Sequence, residues 1–361
     1  MIKRLKIKNF KSYRDSEFEF GKVNIVVGPN GSGKTNLIDA FSFLKQLIRP
    51  LSYPPYPFIR WGDYKNVVFM QDENLDISFE IDGEYKGKDY HYEISINKLQ
   101  IKNEIINFDS YSMERRDNVI RYENKEMTIP DNLSVFNLFF AQPLIALNLR
   151  VTLPPELFNF MTNFLNDVGV FRIVPQIAVS PVHFTFPEAL DENGRGLVKV
   201  ITNNLSRIND TKQVYDFLVE NNISLRPVFT EDGNIRLHFI EKSDHKELIL
   251  LPTSMPDGFI KMLTILVAVY LLRMSTIIID EIENSLHLKY IERLVDIMRY
   301  SDSQFIATTH SPLIIDFMDP SEIIILDKER GETKVNKVQE PEKLKEKLTE
   351  NGILLSEWLL Y

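Results

Sequence analysis

The chain has 361 residues, 44% of them hydrophobic and 26% charged, the balance of a globular protein with room for two or three domains. Its 42 basic and 51 acidic residues give a formal net charge of −9, which argues against a generally basic nucleic-acid coat while leaving room for a local patch. The absence of cysteine excludes disulfides, cysteine–zinc sites and thiol catalysis.

In chain order, Ile2, Leu5 and Ile7, then Phe18 and Phe20, predict two strands joined by Asn9-Phe10-Lys11-Ser12-Tyr13. Lys3, Arg4, Lys6, Lys8, Lys11 and Arg14 make this opening basic, and a solvated strand face accounts for most of them. The apolar run Val23 to Val27 then enters Gly28-Pro29-Asn30-Gly31-Ser32-Gly33-Lys34-Thr35, and a helix is expected from Asn36 to Ile48. Strand, glycine-rich turn and helix in that order form a phosphate-binding loop. The glycines let backbone N–H groups turn inward on an anion, and the helix N-terminus adds partial positive charge. Asn30, Gly31, Ser32, Gly33, Lys34, Thr35 and Asn36 are the expected nucleotide contacts; Lys34 reaches the β- and γ-phosphates and the Thr35 hydroxyl takes one Mg²⁺ position.

Pro50, Pro54, Pro55 and Pro57 mark an irregular connection after this helix. Residues 67–130 change to a period of two, with Leu75 to Ile81 and Tyr90 to Ile96 alternating and Asp82-Gly83 as a hairpin signal, so an antiparallel β-lobe is expected. Residues 131–222 read as mostly helical, with Leu157, Phe158, Met161, Phe164 and Leu165, then Leu197, Val198, Ile201 and Leu205, at helical spacing. From 223 onward a hairpin turns at Asp232-Gly233, a short strand follows at Leu248 to Leu251, and a buried helix spans Phe259 to Leu272. Thr276 to Asp280 and Gln304 to Thr308 read as central parallel strands, with a helix from Leu286 to Met298 between them and a strand from Glu322 to Leu326 after. The expected organisation is a core in two pieces, 1–66 and 223–330, separated by the β-lobe at 67–130 and the helical insertion at 131–222, with a tail at 331–361.

Two further junctions carry chemistry. The strand Thr276 to Ile279 delivers Asp280 and Glu281 at its C-terminal end, the edge where ligands bind in open parallel sheets. Asp280 suits Mg²⁺, directly or through water, and Glu281 suits polarisation of an attacking water. Thr308-Thr309-His310-Ser311-Pro312 is a second strand-to-helix junction, where the His310 imidazole could meet the γ-phosphate or that water.

Asn9 to Tyr13, Gly28 to Thr35, Ile277 to Glu281, Glu283 to His287, Thr308 to Pro312 and the closing Gly352 to Trp358 together resemble the soluble ABC-type ATPases. That group includes the SMC and recombination-repair ATPases and the stand-alone AAA-type relatives of the OLD nuclease ATPase module. The resemblance implies a P-loop ABC-ATPase head, α/β with a mixed or parallel sheet flanked by helices, plus the antiparallel lobe and an inserted helical region. It implies ATP and Mg²⁺ as cofactors and a head-to-head homodimer sandwiching two nucleotides, with Lys11 and Ser12 near the nucleotide and Glu283 to His287 at the dimer interface. The family's signature motif falls on Leu251 to Phe259: Gly258 fits the contact to the other subunit's γ-phosphate, while Pro256 stands where a serine is expected unless Ser254 substitutes. Gln142 and Gln71 are the alternatives for the family's glutamine loop. No sustained heptad pattern signals coiled-coil arms, and few residues follow the last core strand for an appended nuclease domain.

The expected activity is ATP hydrolysis driving a nucleotide-gated dimer switch, in DNA repair or maintenance or in anti-phage defence, with DNA or a separately encoded nuclease or effector protein as partner. A kinase-like nucleotide phosphotransferase acting on a small molecule is the alternative. A GTPase is disfavoured, since Asn97-Lys98-Leu99-Gln100 and Asn124-Lys125-Glu126-Met127 both lack the aspartate of a guanine-reading motif. The longest apolar run, Met262 to Leu272, falls short of the about 20 residues a membrane span needs, and the opening lacks a signal peptide's apolar stretch. No membrane association and a cytoplasmic location are expected.

Overall fold

The structure is a computed structural model, described here for residues 1–49, 56–140, 153–243 and 246–360. Contacts divide the chain into two compact units, Met1–Asn166 with Pro320–Leu344, and Asp167–Asp319 with Lys345–Tyr361. The chain thus leaves the first unit, builds most of the second, returns, and leaves again.

The first unit opens with β1 (Ile2–Phe10), β2 (Tyr13–Glu19) and β3 (Val23–Val27). The helix Lys34–Ile48 follows, and then β4 (Ile77–Tyr85), β5 (Lys88–Asn97), β6 (Gln100–Phe108), β7 (Tyr111–Arg116), β8 (Val119–Tyr122) and β9 (Lys125–Thr128). Eight of these strands form one antiparallel sheet in the order β2-β1-β4-β5-β6-β7-β8-β9. The first two strands therefore share a sheet with the lobe. Their alternation is the cause: Ile2, Leu5 and Ile7 are buried, while the opposite face places Arg4 against Glu80 and Asp82 of β4, and Lys8 beside Glu80. The basic opening is thereby neutralised by neighbouring strands, with Lys3 on Asp89 and Lys6 on Asp15.

Asp82-Gly83 does not turn. β4 runs through it to a turn at Lys86-Gly87, where both residues take positive φ (51° and 80°). Gly83 instead makes room for a neighbour, since a Cβ there would fall 2.4 Å from the Tyr90 hydroxyl. On the neighbouring strands β6 and β7, Glu104 and Arg115 are both fully buried; Glu104 accepts from Tyr92, Ser134 and the Val135 N–H, while Arg115 holds the carbonyls of Pro130, Asp131 and Leu133.

The second unit begins with β10 (Val168–Phe171), a fully buried strand inside the stretch whose spacing reads as helical. Helical spacing ends with the helix Pro155–Asn163, and the β-branched and glycine-containing run that follows favours an extended chain. Short helices at Leu197–Asn203, Leu205–Asp210 and Lys212–Glu220 do occupy much of the remainder. β11 (Val182–His183), β12 (Ile223–Phe229), β13 (Asn234–Ser243) and β14 (Lys246–Leu250) form a small antiparallel sheet, turning at Asp232-Gly233 as expected. The helix Asp257–Leu266 continues into a wider π-turn at Val267–Leu271, buried from Gly258 to Val269. β15 (Thr276–Ile279) and β16 (Gln304–Thr308), each wholly buried, run parallel to each other and to β10, with the helix Leu288–Tyr300 between them in sequence. Such continuous apolar strands belong in a sheet covered on both faces.

The chain then returns to the first unit with β17 (Ile323–Glu329), parallel to β3, and β18 (Glu332–Lys337), antiparallel to β17. No helix of the described residues is long and apolar enough to cross a membrane.

Candidate nucleotide site

The phosphate loop is fixed by backbone geometry that only glycine allows at two points. Gly28 has φ +151°, and a Cβ there would fall 2.1 Å from the Leu326 carbonyl oxygen on β17; Gly33 has φ +113°, and its Cβ would fall 2.5 Å from Thr333 Oγ1 on β18. The loop therefore lies flat against a hairpin from much further along the sequence. Ser32 N–H closes the turn onto the Pro29 carbonyl at 3.2 Å, and the helix starts at Lys34 with Gly33 as its cap. Lys34 is 7% exposed and folds its ammonium back onto the carbonyls of Gly28 (2.7 Å) and Pro29 (3.0 Å). The Ser32 hydroxyl is buried with no hydrogen-bond partner. Asn30, Gly31 and Thr35 are exposed and Asn36 is half-buried.

Thr333 is the residue that sequence reasoning missed here. Its hydroxyl lies 2.7 Å from both the Ser32 carbonyl and Ser12 Oγ, and Asn36 Nδ2 donates to the same Ser12 oxygen at 2.7 Å. Tyr13, fully buried, donates to the Gly33 carbonyl at 2.8 Å, and burial pushes its phenol well above its ordinary range. Ser12 thus sits at the loop. Lys11, at φ +51°, gives its ammonium to the buried Asp39 carboxylate, which Arg60 also approaches at 3.6 Å. Gln71 is exposed at the end of a short turn, and Gln142 lies outside the described residues, as do Pro50, Pro54 and Pro55.

The second unit holds the acids. Asp280 and Glu281 follow β15 directly, and one hydroxyl organises both: Thr308 Oγ1 donates to Asp280 Oδ1 at 2.7 Å and accepts the Glu281 N–H at 2.8 Å. The other Asp280 oxygen accepts Arg172 Nε at 3.0 Å. Glu281 takes φ +47°, which turns the chain sharply after the strand, and its exposed carboxylate accepts from the Asn284 amide. Glu283 ties the acid loop to the next junction, accepting from Thr309 Oγ1 at 2.8 Å and from the His310 N–H at 2.7 Å. The His310 ring itself is exposed.

The signature-like helix grips the same acid loop. Pro256 is its cap, and Gly258 sits where a Cβ would fall 2.3 Å from the Ser285 carbonyl oxygen. Close approach to that loop is a structural reason for glycine beside the one the resemblance gives. Lys261, 3% exposed, donates to the carbonyls of Glu281 (2.9 Å) and Asn284 (3.1 Å). Burial lowers it to about 8, against the pull of Glu283, Glu281 and Asp280 in the other direction.

The partnerless Ser32 hydroxyl and the glycine-shaped loop of the first unit fit a phosphate. In the second unit, the Asp280 carboxylate is, taken by itself, a hard oxygen donor of the kind that Mg²⁺ prefers. Among solved structures, "Crystal structure of the SmcHead bound to the C-winged helix domain of ScpA" shares the fold, with a TM-score of 0.54 at 15% identity over 95% of this chain and 99% of that one. A Helicobacter pylori protein named "ATP/GTP phosphatase" is 25% identical over 339 residues, 88% of each chain. The "DNA replication and repair protein RecF" of Bacillus mycoides is 36% identical over 90 residues, so the chain spans only 24% of that relative's length.

Fold and loop together define an ABC-type ATPase with the fold of an SMC head. Within that class, the chain belongs to the family described as "AAA domain, putative AbiEii toxin, Type IV TA system", whose model matches residues 23–316, from β3 to the short helix after β16.

Proposed function

We propose that this chain hydrolyses ATP with Mg²⁺ and uses nucleotide occupancy to close a homodimer, in DNA maintenance or anti-phage defence. The observation that carries the reading is the phosphate loop: two glycines pressed against a hairpin, a buried serine hydroxyl without a partner, and a lysine folded onto the loop's own carbonyls. In this reading the segment from Asn30 to Asn36 cradles the phosphates, with Lys34 leaving the loop carbonyls for the β- and γ-phosphates and Lys11 and Ser12 flanking the nucleotide. Thr35 and Asp280 hold Mg²⁺, which when bound neutralises charge on the phosphate oxygens. Glu281 polarises the attacking water, His310 reports on the γ-phosphate, and Gly258 meets the partner subunit's nucleotide.

The name of the Helicobacter pylori relative supports nucleoside-triphosphate hydrolysis, and that of RecF supports a DNA partner. The solved SMC head, bound to a domain of ScpA, supports a protein partner. Glu281→Gln is the test: it retains ATP binding, loses hydrolysis by about 10²–10⁴-fold, and doubles in mass with ATP. The measurement runs alone, with duplex DNA and with GTP in place of ATP. Rapid turnover in this variant removes Glu281 from its role. Phosphate transfer by the wild type to a nucleoside monophosphate, in place of release to water, replaces the reading with a phosphotransferase.

A further inference from the structure

Asp280 is gripped from both neighbouring strand ends. Thr308, at the end of β16, holds one carboxylate oxygen, and Arg172, one residue past β10, holds the other. Backbone register dictates this. β10 and β15 run parallel with Phe171 opposite Ile279, and the Asp280 N–H donates to the Phe171 carbonyl at 3.0 Å, so Arg172 and Asp280 leave the same sheet edge side by side. The arginine has a second seat. Its Nη1 donates to Glu192 Oε1 at 2.8 Å, and its own N–H donates to the Glu192 carbonyl at 2.7 Å.

The electrostatics of this triad oppose a second cation. The Asp280 side chain is 10% exposed and that of Arg172 18%, so solvent screens the pair weakly. A guanidinium never loses its charge, and a divalent ion arriving at the same carboxylate meets that charge at close range. Glu192 offers the guanidinium a carboxylate that it already touches. Release from Asp280 therefore leaves Arg172 paired, without an uncompensated buried charge.

We propose that Arg172 is a latch on Asp280: it holds the acid in the nucleotide-free protein and gives it up to Mg²⁺ while staying seated on Glu192. Arg172 and Glu192 are positioning residues that set how much Mg²⁺ the ATPase needs. The inference rests on the reading of Asp280 as the metal-holding acid.

The test is the Mg²⁺ concentration that half-saturates the binding of a fluorescent, non-hydrolysable ATP analogue to the full chain, with Mn²⁺ occupancy followed in parallel by electron paramagnetic resonance. Arg172→Gln lowers the Mg²⁺ midpoint by about fivefold or more, and Glu192→Gln raises it by a similar factor. Lost packing alone does not move the two variants in opposite directions. Asp280→Asn abolishes the Mg²⁺ response. If Asp280→Asn leaves that response intact, the metal reading of Asp280 fails and the latch falls with it. If Asp280→Asn abolishes it but Arg172→Gln raises the midpoint or leaves it unchanged, the latch alone is overturned. Should Arg172→Gln fail to fold, Glu192→Gln decides: a raised midpoint supports the latch, and an unchanged or lowered one overturns it.

Discussion

The phosphate loop and the acid loop reach their shapes by opposite means. The loop of the first unit is moulded by backbone: glycines in conformations closed to other residues, braced by hydroxyls of Thr333 and Tyr13, with the Ser32 hydroxyl left unpartnered. The acid loop of the second unit is held by side chains, with Thr308 and Arg172 on Asp280, Asn284 on Glu281, and Thr309 on Glu283. Lys261 fastens it from below. A site built from main chain stands ready for an anion and offers little to adjust. One built from exchangeable polar contacts can trade partners when a ligand arrives, and regulation belongs on that side.

Lys34→Ala sets the largest contrast. It removes the loop's one cation and, by calorimetric titration, lowers ATP affinity by more than about tenfold, while the acid loop keeps its contacts and the fold survives. Unchanged ATP-dependent thermal stabilisation in this variant contradicts the phosphate-loop assignment. Gly28→Ala comes next. The new methyl meets the Leu326 carbonyl, the loop lifts off β17, and both ATP binding and the unfolding midpoint fall, by about 1–3 kcal/mol in stability from denaturant titration. An equal effect from Gly31→Ala, where a Cβ meets nothing within 4 Å, argues against moulding by close contact.

A third contrast concerns Lys261 and pH. Burial lowers it from 10.5 to about 8, so between those values the unfolded chain carries a proton that the folded chain has shed. The unfolded state then binds more protons, and stability rises with pH across that window; below it both states are charged and the burial penalty stands in full. Relative to Lys261→Met, the wild type therefore gains stability as pH rises from 8 towards 10.5. Thermal unfolding of the pair at several pH values reads this as a difference, in which tyrosines common to both cancel. A flat difference shows that the acids around Lys261 hold its proton after all.

The phosphate loop was legible because its glycines, lysine and threonine are contiguous, so a short segment specifies the shape unaided. Asp280, Glu281 and the Thr308 junction were legible because apolar strands announce their own ends. What brings distant side chains together was not. Thr333 reaches the loop only through the pairing of β17 with β3 and β18, and nothing local to Glu332–Lys337 signals a nucleotide. Arg172 was hidden because Val168–Phe171 lies amid helical spacing, and only its register with β15 makes it a neighbour of Asp280. The Asp82-Gly83 signal misled because a strand also uses glycine where a cross-strand tyrosine needs space.

The hydroxyl that braces Ser32 lies 301 positions further along the chain. A ribosome therefore makes the phosphate loop long before the strut beneath it. Throughout that interval the nascent protein carries a nucleotide motif whose support does not yet exist, and capture of ATP in the folded geometry waits until β18 has been synthesised.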